Sequence, residues 1–101
     1  MTRKSSLRKK QMKVRVHILL KGRVQGVFFR VSTREEAKKR SIVGWIRNLP
    51  DGCVEAVFEG EKGKVGTMID FCRVGPPRAS VIRVDVTWEK VTGFYDTFRI
   101  R

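Results

Sequence analysis

Apolar and polar positions alternate from Val14 to Leu20. Val14, Val16, Ile18 and Leu20 share one face, and Arg15, His17 and Leu19 share the other, the period-two signature of a half-buried strand. From about Phe29 to Arg40 the pattern becomes helical, with Glu35, Glu36 and Ala37 suited to the middle of a helix. Val43 to Leu49 reads as a second strand and Cys53 to Glu59 as a third. Pro50-Asp51-Gly52 joins them as a turn, because proline fixes one backbone angle and glycine supplies a positive one. A second helix is signalled more weakly. Gly63 and Gly66 each lower helix propensity by ~1 kcal/mol relative to alanine, yet Val65, Met68, Ile69 and Cys72 fall on one helical face. Gly75-Pro76-Pro77 stops that helix. Val81 to Glu89 alternates again, which predicts Ile82, Val84, Val86 and Trp88 pointing inward, and Thr97 to Arg101 reads as a final short strand. The β-α-β-β-α-β order suits two helices packed on one face of an antiparallel sheet.

Composition bounds the chain without changing this picture. The 101 residues, 41% of them hydrophobic, make one small domain with one modest core. No apolar run approaches the ~20 residues a membrane-spanning helix needs. Cys53 and Cys72 are too few and too far apart for a disulfide scaffold or a zinc site, and with His17 as the one histidine no protein-built metal site is expected. A reducing cytoplasm with both thiols free is the expected setting, and a monomer the expected state.

Charge divides the chain. Seven of the 23 basic residues fall within residues 1–15, with no acid among them, and the remaining 16 basic and 10 acidic residues leave +6 of the total +13 on the rest. The leader lacks an apolar stretch and a small-residue cleavage site, so it is no secretory signal. Residues 1–12 therefore read as a solvated basic tail and residues 13–101 as the folded domain. Such a tail attracts nucleic acid weakly and nonspecifically, by charge alone.

The segment with the clearest chemistry is Gly22-Arg23-Val24-Gln25-Gly26-Val27-Phe28-Phe29-Arg30, set between the first strand and the first helix. Two glycines four residues apart allow backbone angles closed to other residues. Successive N–H groups can then converge on an anion where the positive end of the following helix points. Arg30, in the first turn, can fork onto the same oxyanion. The segment is neither G-x-G-x-x-G nor a P-loop, since no Lys-Ser or Lys-Thr follows its second glycine. A plain glycine turn followed by a surface arginine is the competing reading of these residues alone.

This segment resembles the acylphosphatase signature G-x-V-Q-G-V-x-F-R at every fixed position. The second signature of that family, G-W-V-x-N followed by D-G, is matched by Gly44-Trp45-Ile46-Arg47-Asn48-Leu49-Pro50-Asp51-Gly52, with Ile46 in place of valine. Gly75-Pro76-Pro77-Arg78-Ala79-Ser80-Val81 is similar to the family's G-P-P-x-A-x-V. The resemblance runs from about Met12 to Arg101. It implies a ferredoxin-like βαββαβ sandwich of α+β class, and hydrolysis of the carboxyl–phosphate bond of acyl phosphates without a metal or cofactor. By motif position it implies Arg30 and Asn48 as the catalytic residues. The phosphate cradle it implies comprises Arg23, Val24, Gln25, Gly26 and Val27 with Arg30 as clamp. Gln25 is expected to brace the loop, and His17, Trp45 and Trp88 to be structural. If the last strand lies beside the first, the Arg101 carboxylate could pair with Arg30.

Arg40-Ser41 departs from the Leu-Gly found in many members, so Ser41 is expected to carry the strain of a left-handed helix cap. Arg40 is expected to send its charge to water over an apolar stem. Two other function classes stay open. One is a basic nucleic-acid-binding module of the same strand order, for which the base-stacking aromatics are missing, Phe58 lying on the helix-packed face. The other is the acyl-phosphate-handling front domain of hydrogenase-maturation proteins, against which a free-standing enzyme is preferred because no zinc-finger or carbamoyl-transfer region follows Arg101.

Overall fold

A computed structural model describes residues 12–101. The basic tail predicted from the sequence lies outside them except for Met12, whose carbonyl accepts a hydrogen bond from the Lys62 N–H at 3.0 Å. The elements are β1 (Lys13–Arg23), α1 (Phe29–Lys39), β2 (Val43–Asn48), β3 (Val54–Glu61), α2 (Lys62–Val74), β4 (Ser80–Glu89) and β5 (Phe98–Ile100). The sheet order is β4-β1-β3-β2-β5. The first four strands are antiparallel, and both helices pack on one face, as the ferredoxin-like reading requires. No helix among the described residues is long and apolar enough to cross a membrane.

The core forms where the alternation of the strands meets the apolar stripes of the helices. Val16, Ile18 and Leu20 of β1 are fully buried, together with Ala56 and Phe58 of β3 and Ile46 of β2. Phe29 and Ala37 cover them from α1, and Val65, Met68, Ile69 and Cys72 from α2. The stripe on α2 thus outweighs the cost of its two glycines. Burial also pushes the Cys72 thiol up to about 12, so it stays protonated and inert.

Three expectations need correction. The sheet is mixed rather than antiparallel throughout, because β5 runs parallel to β2, with Ile46 opposite Ile100. The last strand therefore lies beside β2 and not beside β1. Ile82 and Trp88 are not part of the core: they are 78% and 55% exposed. The pairing of β1 with β4 slips at Lys21/Gly22, so Gly22 faces Val81 and the inward set becomes Val81, Val84 and Val86. A bulge of this kind reverses the faces on either side of it. Trp88 keeps the inward register opposite Val16 but stands near the end of an edge strand.

The face of the sheet away from the helices carries charge. Glu59, 3% exposed, accepts hydrogen bonds from Arg15, from Thr92 and from the N–H of Gly93. The β4–β5 connection is thereby strapped onto the sheet. Trp45 lies on the same face, with Nε1 donating to the Tyr95 hydroxyl at 3.1 Å and the Arg101 guanidinium 4.4 Å from its ring centre. His17 pairs with Glu55 at 2.7 Å. Trp45 and His17 are thus engaged in contacts on the sheet face.

Candidate active site

Strand β1 runs through Arg23, so the loop after it is shorter than its sequence motif. Arg23 pairs opposite Ser80 within the sheet, and the connection to α1 comprises Val24 to Phe28. Gly22, expected as a loop hinge, belongs to the bulge instead. The left-handed positions of the loop are Gly26, at φ 72°, and Phe28, at φ 62°. A bulky residue in that region is strained. Phe28 is also the residue from which α1 departs, and no side chain caps the helix. The N–H groups of Gln25, Gly26, Val27 and Phe28 find no protein acceptor among the described residues. Loop and helix start together therefore offer free donors and a positive dipole to an anion.

Two hollows flank this loop. One, of about 380 Å³, is lined by Val24, Gly26, Phe28, Phe29, Arg30, Val31 and Ile100. The other is more open and is lined by Arg23, Gln25, Gly26, Val27, Pro77 and Arg78. Gly26 belongs to both. The structure thus brings Arg30, Val24 and Gly26 to one side, and Arg23, Gln25, Gly26 and Val27 to the other. Arg78 joins the second side without having been singled out for a role. Its motif was visible in the sequence, but only the turn through Pro76 and Pro77 carries it to the loop.

Asn48 lines neither hollow. It ends β2 opposite Val54, on the hairpin that Gln25 grips. Gln25 Nε2 donates to the carbonyls of Leu49 and Cys53, both at 2.8 Å, so its bracing role is realised. Within the turn, the Cys53 N–H donates to Asp51 at 3.0 Å and holds that carboxyl below its usual range. The Asn48 Oδ1 is shut off from solvent and has no hydrogen-bond partner. An unpaired buried acceptor costs about 1–3 kcal/mol.

Arg30 forms no ion pair or hydrogen bond among the described residues. The pairing with the Arg101 carboxylate is not made. The N–H of Arg101 donates to the Ile46 carbonyl at 2.9 Å, and its guanidinium lies on Trp45. Arg30 is therefore uncommitted, half-buried beside free N–H donors. No three His, Cys, Asp or Glu side chains converge as metal ligands among the described residues.

Nothing here favours nucleic-acid binding. Phe58 is fully buried and stacks on Phe98 at 5.6 Å. The carboxylates of the open sheet face, Glu55, Glu59, Asp85 and Glu89, are each paired with a basic side chain of that face.

A family model described as Acylphosphatase matches residues 16–100. An acylphosphatase from Syntrophus aciditrophicus is 54% identical over 88% of this chain and 93% of its own. The solved acylphosphatase of Coxiella burnetii superposes with a TM-score of 0.83 at 37% identity, over 88% of this chain and 93% of that one. The Bacillus subtilis acylphosphatase does so with 0.84 at 33%, over 87% and 98%.

Proposed function

Since the chain belongs to the acylphosphatase family, we infer that Arg30 and Asn48 carry the hydrolysis of the carboxyl–phosphate bond of acyl phosphates. The products are a carboxylate and inorganic phosphate. The carboxylate is already a good leaving group, so positioning and charge stabilisation are what the protein must add. The free N–H groups after Val24 hold the phosphoryl oxygens, and the Arg30 guanidinium forks onto them as charge builds. The Asn48 side-chain amide, at the end of β2 on the hairpin that Gln25 grips, holds the attacking water and aims one of its lone pairs at phosphorus. The water oxygen bonds to phosphorus while the phosphorus–carboxylate oxygen bond breaks, and its electron pair leaves with the carboxylate. The water proton passes to a phosphoryl oxygen, consistent with a hollow that no His, Asp or Glu lines.

The observation that carries this reading is the Arg30 guanidinium, free of any ion pair or hydrogen bond among the described residues and lining the hollow beside the unpaired N–H groups of the loop. We also read the reaction as metal-independent and the compartment as the cytoplasm, the latter supported by two buried free thiols. The test is phosphate release from benzoyl phosphate with excess chelator, for the native chain, Arg30→Ala and Asn48→Ala. Turnover surviving chelation and falling by about 100-fold or more in both variants is expected. Loss on chelation, or near-native turnover in either folded variant, overturns the assignment.

A further inference from the structure

The catalytic hollow continues along the molecule. Ile100 lines both the hollow that holds Arg30 and a second, of about 270 Å³, lined by Arg34, Lys38, Thr97, Phe98, Arg99 and Ile100. The two meet along the seam between α1 and β5. Arg30, Arg34 and Lys38 are spaced at four-residue intervals and so follow one face of α1. With a rise of 1.5 Å per residue, Arg34 stands about 6 Å and Lys38 about 12 Å down the helix axis from Arg30. Arg99 supplies cationic charge from the β5 side. No acidic side chain lines this second hollow.

One further detail separates this seam from an ordinary solvated basic face. Arg34 Nε is buried and has no hydrogen-bond partner. Its one ionic neighbour is the exposed Glu35 carboxylate, 3.6 Å away, within ion-pair range but beyond hydrogen-bonding distance. Lys38 and Arg99 have no acidic partner within ion-pair range among the described residues. Elsewhere on the chain, arginines such as Arg15, Arg40, Arg47 and Arg83 are paired with carboxylates. Arg34, partly exposed and held by no hydrogen bond at Nε, thus stands with Lys38 and Arg99 in a hollow that no acidic side chain lines, an arrangement that suits an anion.

We propose that the seam between α1 and β5 is the acyl-group subsite, selecting acyl phosphates whose acyl chain carries a second anionic group at its far end. The assignment rests on the phosphoryl group binding beside Arg30, as inferred above. The phosphate sits at the start of α1 and the acyl chain runs along the helix. Its distal carboxylate or phosphate meets Arg34 first and Lys38 and Arg99 beyond.

The experiment compares adipoyl phosphate with hexanoyl phosphate, chains of equal length of which only the first ends in a carboxylate. The native chain is expected to show the higher kcat/KM on adipoyl phosphate, chiefly through KM. Arg34→Gln combined with Lys38→Gln should lower that value by about 5-fold, the scale of an exposed ion pair, and leave hexanoyl phosphate unchanged. Added salt should erase the preference in the native chain. Equal native rates on the two substrates overturn the subsite while leaving the catalytic assignment standing, as does a variant that loses both activities alike. Failure to hydrolyse either substrate overturns the catalytic reading itself.

Discussion

Gln25 holds Leu49 and, through it, the position of Asn48. The Gln25 side-chain amide donates to the carbonyls of Leu49 and Cys53, both at 2.8 Å. One side chain of the anion loop thereby fixes the mouth of the hairpin that carries the candidate water-positioning residue. Gln25→Ala leaves two carbonyls without this donor and lets the two halves of the site drift. A kcat lowered by at least about 10-fold on benzoyl phosphate is expected, since small misplacements in a positioning-driven reaction are costly. The stability loss should stay near 1–3 kcal/mol. Native kcat in the variant would show that loop and hairpin are aligned by something else.

Gly22 is predicted to tolerate no side chain. A Cβ there would lie 2.1 Å from the Ser80 carbonyl oxygen, and φ is +123°. The clashing atom is backbone of the paired strand, so it cannot swing away as a flexible side chain would. Gly22→Ala should cost at least about 3 kcal/mol in urea unfolding, adding backbone strain to overpacking. A loss below 1 kcal/mol would mean that the bulge opens freely.

Ser41 has the left-handed angle expected of it, φ 55°. Its N–H donates to the Lys38 carbonyl at 3.3 Å, and that of Ile42 to Ala37 at 2.9 Å, which closes the C-terminal turn of α1. Ser41→Gly removes a Cβ penalty of about 1–2 kcal/mol. Against this, glycine loosens the unfolded chain by about 0.4–1 kcal/mol. A net gain of about 0.5–1 kcal/mol should appear in urea unfolding. A loss would show that Ser41 contributes something beyond its backbone angle.

The elements that the sequence makes legible are those defined by local rules. Strand β1 shows its alternation, the β2–β3 hairpin its Pro-Asp-Gly turn, and α2 its four-residue stripe despite two glycines. Strand β4 alternates just as cleanly, yet Ile82 was placed on the wrong face. The slip that reverses it lies in the pairing with Lys21 and Gly22, on another strand. The parallel partner of β5 is invisible for a similar reason, since a three-residue strand carries little pattern and its partner is distant in sequence. In the site, two motifs marked Arg30 and Asn48. The left-handed Phe28 was not legible, because aromatic residues rarely adopt that angle. Arg40, expected to reach solvent, turns back to the Glu36 carboxylate instead. The basic hollow of Arg34, Lys38 and Arg99 was not legible because it forms only when β5 lies against α1.

Glu59 ties the chain's stability to pH. Burial works to raise its pKa, but the donors from Arg15, Thr92 and Gly93 outweigh that and hold the carboxyl below its ordinary 4.5. A carboxyl lowered in the folded state stabilises the fold fully above the unfolded value and ceases to as pH falls through the folded one. The urea midpoint of the native chain should therefore be level near neutrality and decline once pH drops below about 4.5. Glu55, lowered by His17 and Arg47 against its own burial, adds to that decline, so the native curve alone does not isolate Glu59. Glu59→Gln does. It keeps an oxygen for Thr92 or Gly93 but loses the charge facing Arg15, so it should be less stable than the native chain at pH 7. On acidification its deficit should shrink, because the native chain is then losing the same charge by protonation. Unfolding curves that stay parallel from pH 7 to pH 3 would remove Glu59 from the account of acid sensitivity.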